Sequence, residues 1–159
     1  MDMYQSEKNL LEKLADAIPG LKGYRDKESR RDTDKRFREY LAGRIETVRD
    51  RIDDSKRDLV TAGKLEGLAE IDRLSQKAFK AAGMIRYASY GYSGFFDQVK
   101  IQEAELDRIY QYDLSLVADI EKLEASVQNI AGNWKDCEDK INVLERRIEE
   151  RKNLFTVAG

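Results

Sequence analysis

The chain has 159 residues, of which 38% are charged, and its formal net charge is -2. This length suits one domain with a sizeable core, and the slight acidity argues against a general nucleic-acid binder, which is usually strongly basic. The sequence contains no histidine, which excludes Ser-His-Asp and Cys-His nucleophilic sites, Glu-x-x-His di-iron sites and histidine-containing zinc sites.

Further absences narrow the class of protein. The single cysteine, Cys137, cannot form an internal disulfide, and no glycine-rich phosphate loop is present. No stretch approaches the ~18 apolar residues of a membrane-spanning helix, and the first residues lack the layout of a secretory signal. We therefore expect a soluble, cytoplasmic, non-enzymatic protein without a catalytic, cofactor-binding or metal site.

Residues 1–20 are predicted to contain a short amphipathic helix, from residue 6 to residue 18. Ser6 can cap its start and Pro19 ends it. Its apolar face carries Leu10, Leu11, Leu14 and Ile18. The simpler interpretation is that this face docks on the rest of the protein. The alternative is a membrane-facing helix, although its acidic residues offset the basic excess that anionic lipid favours.

A first long helix is predicted over residues 24–62. Apolar residues recur in its second half at steps of three, four or seven, namely Phe37, Leu41, Ile45, Val48, Ile52 and Leu59. Its first half has no apolar stripe and carries acid-then-base pairs four residues apart, at Asp26–Arg30, Asp32–Arg36 and Asp34–Arg38. These pairs favour an exposed, self-paired helix start. Because bases outnumber acids here, Arg30 and Arg31 are also candidates for contacts with an anionic partner.

Gly63 and Gly67 bracket a turn, and a second helix is predicted over residues 66–88. The connection that follows, residues 89–102, is aromatic, although loops are usually polar. An aromatic run from Tyr87 to Phe96 leads into it and contains four candidate partner-binding residues, Tyr90, Tyr92, Phe95 and Phe96. One interpretation is a lid over the end of the core; the other is an exposed anchor for a protein partner, because aromatic residues are enriched at interfaces. No specific nucleic-acid site is predicted, because no positive groove accompanies the aromatic residues.

An apolar seam runs through the last third of the chain at alternating steps of three and four residues. Its members are Leu106, Ile109, Asp113, Leu116, Ile120, Leu123, Val127, Ile130, Trp134, Cys137, Ile141, Leu144 and Ile148. Asp113 is the polar exception. We expect it to pair with a buried Arg or Tyr, or to lie at a wet end of the bundle. A buried, paired carboxylate can fix helix register.

The segment Ala131-Gly132-Asn133 predicts a break between two helices, over residues 103–131 and 133–153. Gly132 suits the C′ position of a helix, and Asn133 suits an N-cap with Asp136 three residues later. The seam, however, keeps its phase through this segment. The alternative is therefore one continuous helix, whose far half would lack a partner within the chain and would require dimerisation.

Two segments resemble known sequences: GYRDKESRRDTDKRFREYLAGRI (Gly23 to Ile45) and IRYASYGYSGFFDQVKIQEAELDRIYQYD (Ile85 to Asp113). They are similar to an uncharacterised family of bacterial helical-bundle proteins with a charged first helix and a Tyr-Gly-Tyr-x-Gly-Phe-Phe-Asp loop. The resemblance implies a helical fold and brings no activity, cofactor or site residue with it. The architecture is also similar to spectrin-like bundles and phage-shock-type coiled coils, without a shared motif.

The sequence as a whole predicts an all-α fold: an antiparallel helical bundle or coiled coil of three to four long helices, with a short N-terminal amphipathic helix in the same domain. The predicted function is a non-enzymatic interaction or scaffold protein that binds a protein partner or itself. One alternative is a membrane-surface protein that docks through its N-terminal helix. Another is an enzyme with a carboxylate or tyrosine site at the aromatic loop.

Overall fold

The structure, a computed structural model, describes residues 12–14, 16, 30–88 and 103–155. For residues 30–32 and 103–107 it describes the backbone alone. All secondary structure in this part of the chain is helical. Its elements are α1 (Arg30–Thr61), α2 (Leu68–Arg86), α3 (Glu103–Val127), α4 (Ile130–Arg151) and a short 3-10 helix (Lys152–Phe155). They pack into one bundle, which confirms the predicted all-α fold class. Within the described residues, no helix is both long and apolar enough to cross a membrane.

The four long helices form two antiparallel hairpins. In the α1–α2 hairpin, Lys56 pairs with Asp72 at 2.7 Å near the turn. In the α3–α4 hairpin, the Tyr112 hydroxyl donates to the Arg147 carbonyl at 2.6 Å. The short turn within each hairpin explains why its two helices run in opposite directions.

The hairpins lie side by side in the same orientation, so that α2 runs parallel to α4. Three polar contacts join these two helices, and in each the two residues are 65 positions apart: Arg73–Glu138, Lys77–Asn142 and Lys80–Glu145. A constant separation is possible only between parallel helices. On the other side of the bundle, α1 runs parallel to α3, and Arg44 pairs there with Glu124.

The predicted apolar seam forms the core. Of its residues with a described side chain, all but Trp134 are buried, including the single cysteine, Cys137. Trp134 is half-buried. The α1 positions from Phe37 to Ile52 are buried in the same core, and so is Leu14 of the N-terminal segment. The helical periodicity therefore identified the inward faces of the long helices correctly.

The break in the last third of the chain is present but begins earlier than predicted. α3 ends at Val127, residues 128–129 form a turn, and α4 starts at Ile130. A second irregularity follows at Asn133, whose φ of -142° and ψ of 25° are not helical. The predicted C′ role of Gly132 is wrong, because its φ is not positive. The hairpin places Val127 and Ile130 both in the core, which explains how the seam keeps its phase through the break.

We expect Gly132→Ala to raise the free energy of unfolding by up to about 1 kcal/mol, because alanine favours helical backbone and the added Cβ meets no atom within 4 Å. Gly63→Ala is the matched control and should lower that free energy by roughly 1 kcal/mol, since its φ of 71° strains any residue with a Cβ. Urea melts of the two variants check both signs. Destabilisation by Gly132→Ala as large as that by Gly63→Ala would contradict the described backbone.

Candidate functional site

The aromatic candidates Tyr90, Tyr92, Phe95 and Phe96 lie outside the described residues. Arg30 and Arg31 form the first turn of α1, but their side chains are not described. Among the candidate membrane-facing residues, Leu10, Leu11 and Ile18 also lie outside the described part. Leu14 is described and is 3% exposed, within the same hydrophobic cluster as the bundle core.

Two large aromatic side chains are exposed on one side of α2. Phe79 is 57% exposed, and Tyr87, which directly follows the helix, is 74% exposed. Gly83 lies between them at a spacing of four residues from each, so that all three share one ridge of the helix. A Cβ added at Gly83 would meet no atom within 4 Å. We call these three residues the α2 aromatic face. Because Gly83 has no side chain, an open slot lies between the two exposed rings.

An arginine extends this face towards α1. The Arg49 guanidinium lies over the Phe79 ring, 4.6 Å from its centroid. Its pairing with Asp53 is loose, with 3.9 Å between the nitrogen and the carboxylate oxygen. A stacked aromatic and arginine that remain partly exposed are the residue types most often found at the energetic centres of protein interfaces.

Four charged side chains are buried together at the end of the bundle where α2 ends. They are Asp34, Arg38, Asp113 and Arg151, each less than a tenth exposed. Arg151 donates to the Asp113 carboxylate through Nε at 2.8 Å and through Nη2 at 3.1 Å. Arg151 also donates to Asp34, which in turn accepts a bond from Arg38 Nε at 2.9 Å. We call this group the buried ion cluster.

The buried ion cluster joins all four long helices. Asp34 and Arg38 belong to α1, Asp113 to α3 and Arg151 to α4. Arg38 reaches α2 by donating to the Arg86 carbonyl at 2.6 Å, one of the last carbonyls of that helix. Such carbonyls lack a partner within their own helix, and a cation placed there also interacts favourably with the helix dipole.

Aromatic rings enclose the central arginine. The Arg151 guanidinium lies 5.5 Å from the centroid of the Phe37 ring and 4.9 Å from that of Phe155, the last residue of the 3-10 helix. Cation–π contacts of this kind strengthen when water is excluded. Arg151 is fully buried, so these contacts help to offset its loss of hydration.

Burial also affects the pKa of Asp113 and of the core thiol. Burial raises the pKa of Asp113 to about 6, although the adjacent Arg151 acts in the opposite direction. Burial raises the pKa of Cys137 as well, which keeps the thiol protonated and unreactive at neutral pH. Within the described part of the chain, no group of three or more carboxylate or cysteine side chains could hold a metal ion.

Sequence reasoning anticipated one member of the buried ion cluster and misjudged two others. Of the alternatives for Asp113, pairing with a buried arginine is the one that the structure shows. The interpretation of Asp34–Arg38 as an exposed pair is wrong, because both side chains are buried. Asp34 lies seven residues before Leu41, and Arg151 lies seven residues after Leu144. This spacing was the signal that could have revealed Asp34 and Arg151, because each is a charged residue at a position that continues an apolar seam.

Comparison of the chain with protein-family models, curated proteins and solved structures gives no match. The helices themselves define a class of architecture, an all-α bundle of two helical hairpins that lie side by side. The resemblance to a bacterial helical family remains a prediction.

Removal of the Arg151 charge should destabilise the bundle strongly. We expect Arg151→Met to lower the free energy of unfolding by roughly 3–5 kcal/mol, because it leaves the buried Asp34 and Asp113 short of a counter-charge. The control is Arg57→Met, which removes an exposed ion pair with Asp54 and should change stability by less than about 1 kcal/mol. Chemical denaturation of both variants provides the measurement, and equal effects would show that the cluster is not buried.

The raised pKa of Asp113 predicts an unusual pH dependence. Between its ordinary value of 3.8 and about 6, the folded protein binds this proton and the unfolded chain does not. The contribution of Asp113 to stability is therefore largest below pH 3.8 and falls as the pH rises through 6. Relative to Asp113→Asn, the wild type should lose up to about 3 kcal/mol between pH 4 and pH 7. Denaturant melts of the two proteins across this range test the sign, and a wild-type advantage that grows with pH would contradict it.

Proposed function

We propose that this protein is a non-enzymatic interaction or scaffold protein and that the α2 aromatic face, with the neighbouring aromatic residues Tyr90 to Phe96, binds a protein partner. The observation that carries this proposal is the 74% exposure of Tyr87. Tyr87 begins the aromatic run of the sequence, and a tyrosine that served as a core lid would be buried. Exposed large aromatic side chains on a folded surface are typical of binding sites.

The rigidity of the face supports the same proposal. Arg38 donates to the Arg86 carbonyl at the end of α2, and the Arg86 side chain pairs with Glu46 of α1. Gly83 gives a partner side chain room between the two rings, and Arg49 can receive a carboxylate beside them. A surface already fixed in its binding geometry loses less conformational entropy when a partner docks. A partner helix with an apolar residue and a nearby acidic residue fits this chemistry.

Two further observations favour this function over the alternatives drawn from the sequence. The burial of Leu14 in the core supports docking of the N-terminal helix on the bundle, which leaves this leucine unavailable to a lipid surface. The charges of the buried ion cluster are engaged with one another, an arrangement that suits structure better than catalysis. The single cysteine fits a reducing compartment, and we propose the cytoplasm as the location.

The test is quantitative capture of the partner from a lysate of the source cell, followed by measurement of its affinity. Tyr87→Ala and Phe79→Ala should each weaken binding by more than about 1 kcal/mol and change stability little, because both rings are exposed. Tyr92→Ala and Phe96→Ala extend the test: weaker binding with little change in stability assigns them to the surface, whereas a stability loss of about 3–5 kcal/mol assigns them to a core lid.

Two controls make this test specific. Gly83→Ala places a methyl group in the slot and should keep or raise stability, since alanine favours helical backbone; weaker binding by this variant cannot result from unfolding. Val143→Ala removes another exposed apolar side chain, on α4, and should leave binding unchanged. Unaltered binding by Tyr87→Ala, Phe79→Ala and Gly83→Ala together would refute the proposed surface.

A further inference from the structure

The end of the bundle opposite the buried ion cluster is built from the two hairpin turns. Because α1 and α3 are parallel, the turn after Thr61 and the turn after Val127 lie at the same end. The turns approach each other closely: the Trp134 indole nitrogen is 3.8 Å from the position that a Cβ on Gly67 would take. The exposed residues here are 60–66, 128–129 and 131–133. We call this surface the turn end.

The turn end carries very little charge. Although 38% of the chain is charged, the segment 125–134 contains no charged residue, and the segment 59–69 contains only Lys64 and Glu66. Two apolar side chains are exposed there, Leu65 at 65% and Val60 at 53%. The centre of a protein interface differs from ordinary surface in the same way: charged residues are depleted around its apolar residues.

The backbone holds Leu65 on a rigid turn. Gly63 has a φ of 71°, and after it the Lys64 N–H donates to the Leu59 carbonyl at 2.9 Å, while the Gly63 N–H donates to the Val60 carbonyl at 3.0 Å. These two bonds form a Schellman motif, which closes the end of α1. The turn is therefore fixed before any contact forms, and little conformational entropy is lost when Leu65 becomes buried.

The charges that flank Leu65 are opposite in sign and available. Among the residues that the structure describes, neither Lys64 nor Glu66 has an ion-pair partner, whereas nearby Lys56 pairs with Asp72 and Arg57 with Asp54. A Lys-Leu-Glu sequence on a protruding turn is complementary to itself after a two-fold rotation. In an isologous contact the same patch of both copies meets, so a patch that carries both signs of charge can place each lysine beside a glutamate of the other copy.

We propose that the turn end binds the turn end of a second copy of this chain, in a two-fold contact where Leu65 packs on Leu65 of the partner subunit. Lys64 of each copy then pairs with Glu66 of the partner subunit. The neutral balance of this patch favours a second copy over a strongly charged partner or anionic lipid, which would require a net charge on the surface.

This proposal rests on the proposed interaction function and adds a scaffold geometry to it. Two copies joined at their turn ends would present two α2 aromatic faces near opposite ends of a rod. The contact area of two turns is small, so we expect a weak, reversible dimer at the low end of specific interfaces.

Sedimentation equilibrium of the full chain tests the contact over protein concentrations from about 10 μM to about 1 mM. Lys64→Glu makes both charges of the turn acidic, and Glu66→Lys makes both basic. Each variant alone should self-associate at least about tenfold more weakly than wild type, because like charges then face each other. An equimolar mixture of the two variants should recover association to within about threefold of wild type, because opposite charges meet again.

Controls assign the contact and separate this proposal from the function on which it rests. Leu65→Ser should weaken association about tenfold, because it removes the apolar contact at the centre of the interface. Val143→Ser and Tyr87→Ala change exposed residues outside the turn end and should leave association unchanged. The proposal is overturned if the wild type stays monomeric over the whole concentration range. It is also overturned if the mixture of Lys64→Glu and Glu66→Lys does not recover association. Binding of the wild type to phosphatidylcholine vesicles that is lost in Leu65→Ser, without self-association, overturns it in favour of a membrane. Partner capture that still depends on Tyr87 leaves the proposed function in place.

Discussion

The bidentate contact between Arg151 and Asp113 is the interaction on which the arrangement of the bundle depends. Apolar seams with a heptad-like repeat pack almost as well after one helix slides past the other by a turn. A slide of α4 along α3 would carry Arg151 away from Asp113 and leave both charges buried without compensation, at a cost of several kcal/mol. The aliphatic core therefore supplies most of the stabilisation, and the buried charges select one register.

The same arginine sets the relation between the two hairpins. Through Asp34, Arg151 is linked to α1, and through Arg38 that link continues to the carboxyl end of α2. Pairs such as Lys80–Glu145 also join α2 to α4, but their basic side chains are exposed, Lys80 at 65%. Ion pairs that are open to water contribute little stability, so they select weakly between orientations of the hairpins. The specific orientation of the hairpins is thus encoded mainly at the end of the bundle where the aromatic run begins.

Periodicity predicted the fold because the inward faces of the long helices depend on local spacing alone. Ile120 and Ile141 are fully buried, as the seam requires. The ion pair Asp34–Arg38 shows where such reasoning stops: an acid and a base four residues apart can pair on an exposed helix face or on a buried one, and only the position of α4 decides between them. The turn at residues 128–129 was missed for a similar reason, since neither residue is a strong helix breaker and the hairpin geometry imposes the turn.

The candidate site was predicted only in part. Aromatic density drew attention to residues 87–96, and the exposure of Tyr87 agrees with a surface role. Phe79 lies outside that run, with no distinctive sequence around it, and its exposure follows from the rotation of α2 within the bundle. The low charge of the two turns was visible in the sequence, but their meeting at one end required the direction of all four helices.

The long sequence separation within the buried ion cluster has a kinetic consequence. Contacts inside the hairpins join residues 16 to 48 positions apart, as in Lys56–Asp72 and Arg38–Arg86, whereas Arg151 and Asp34 are 117 positions apart. The entropy lost in closing a loop grows with its length, and local contacts form faster than distant ones. Each hairpin can therefore collapse on its own, and the meeting of Arg151 with Asp34 belongs to the late step that docks them. Chains in which only that step has failed would keep their helices and expose the inner face of each hairpin, the form in which proteins of this size aggregate.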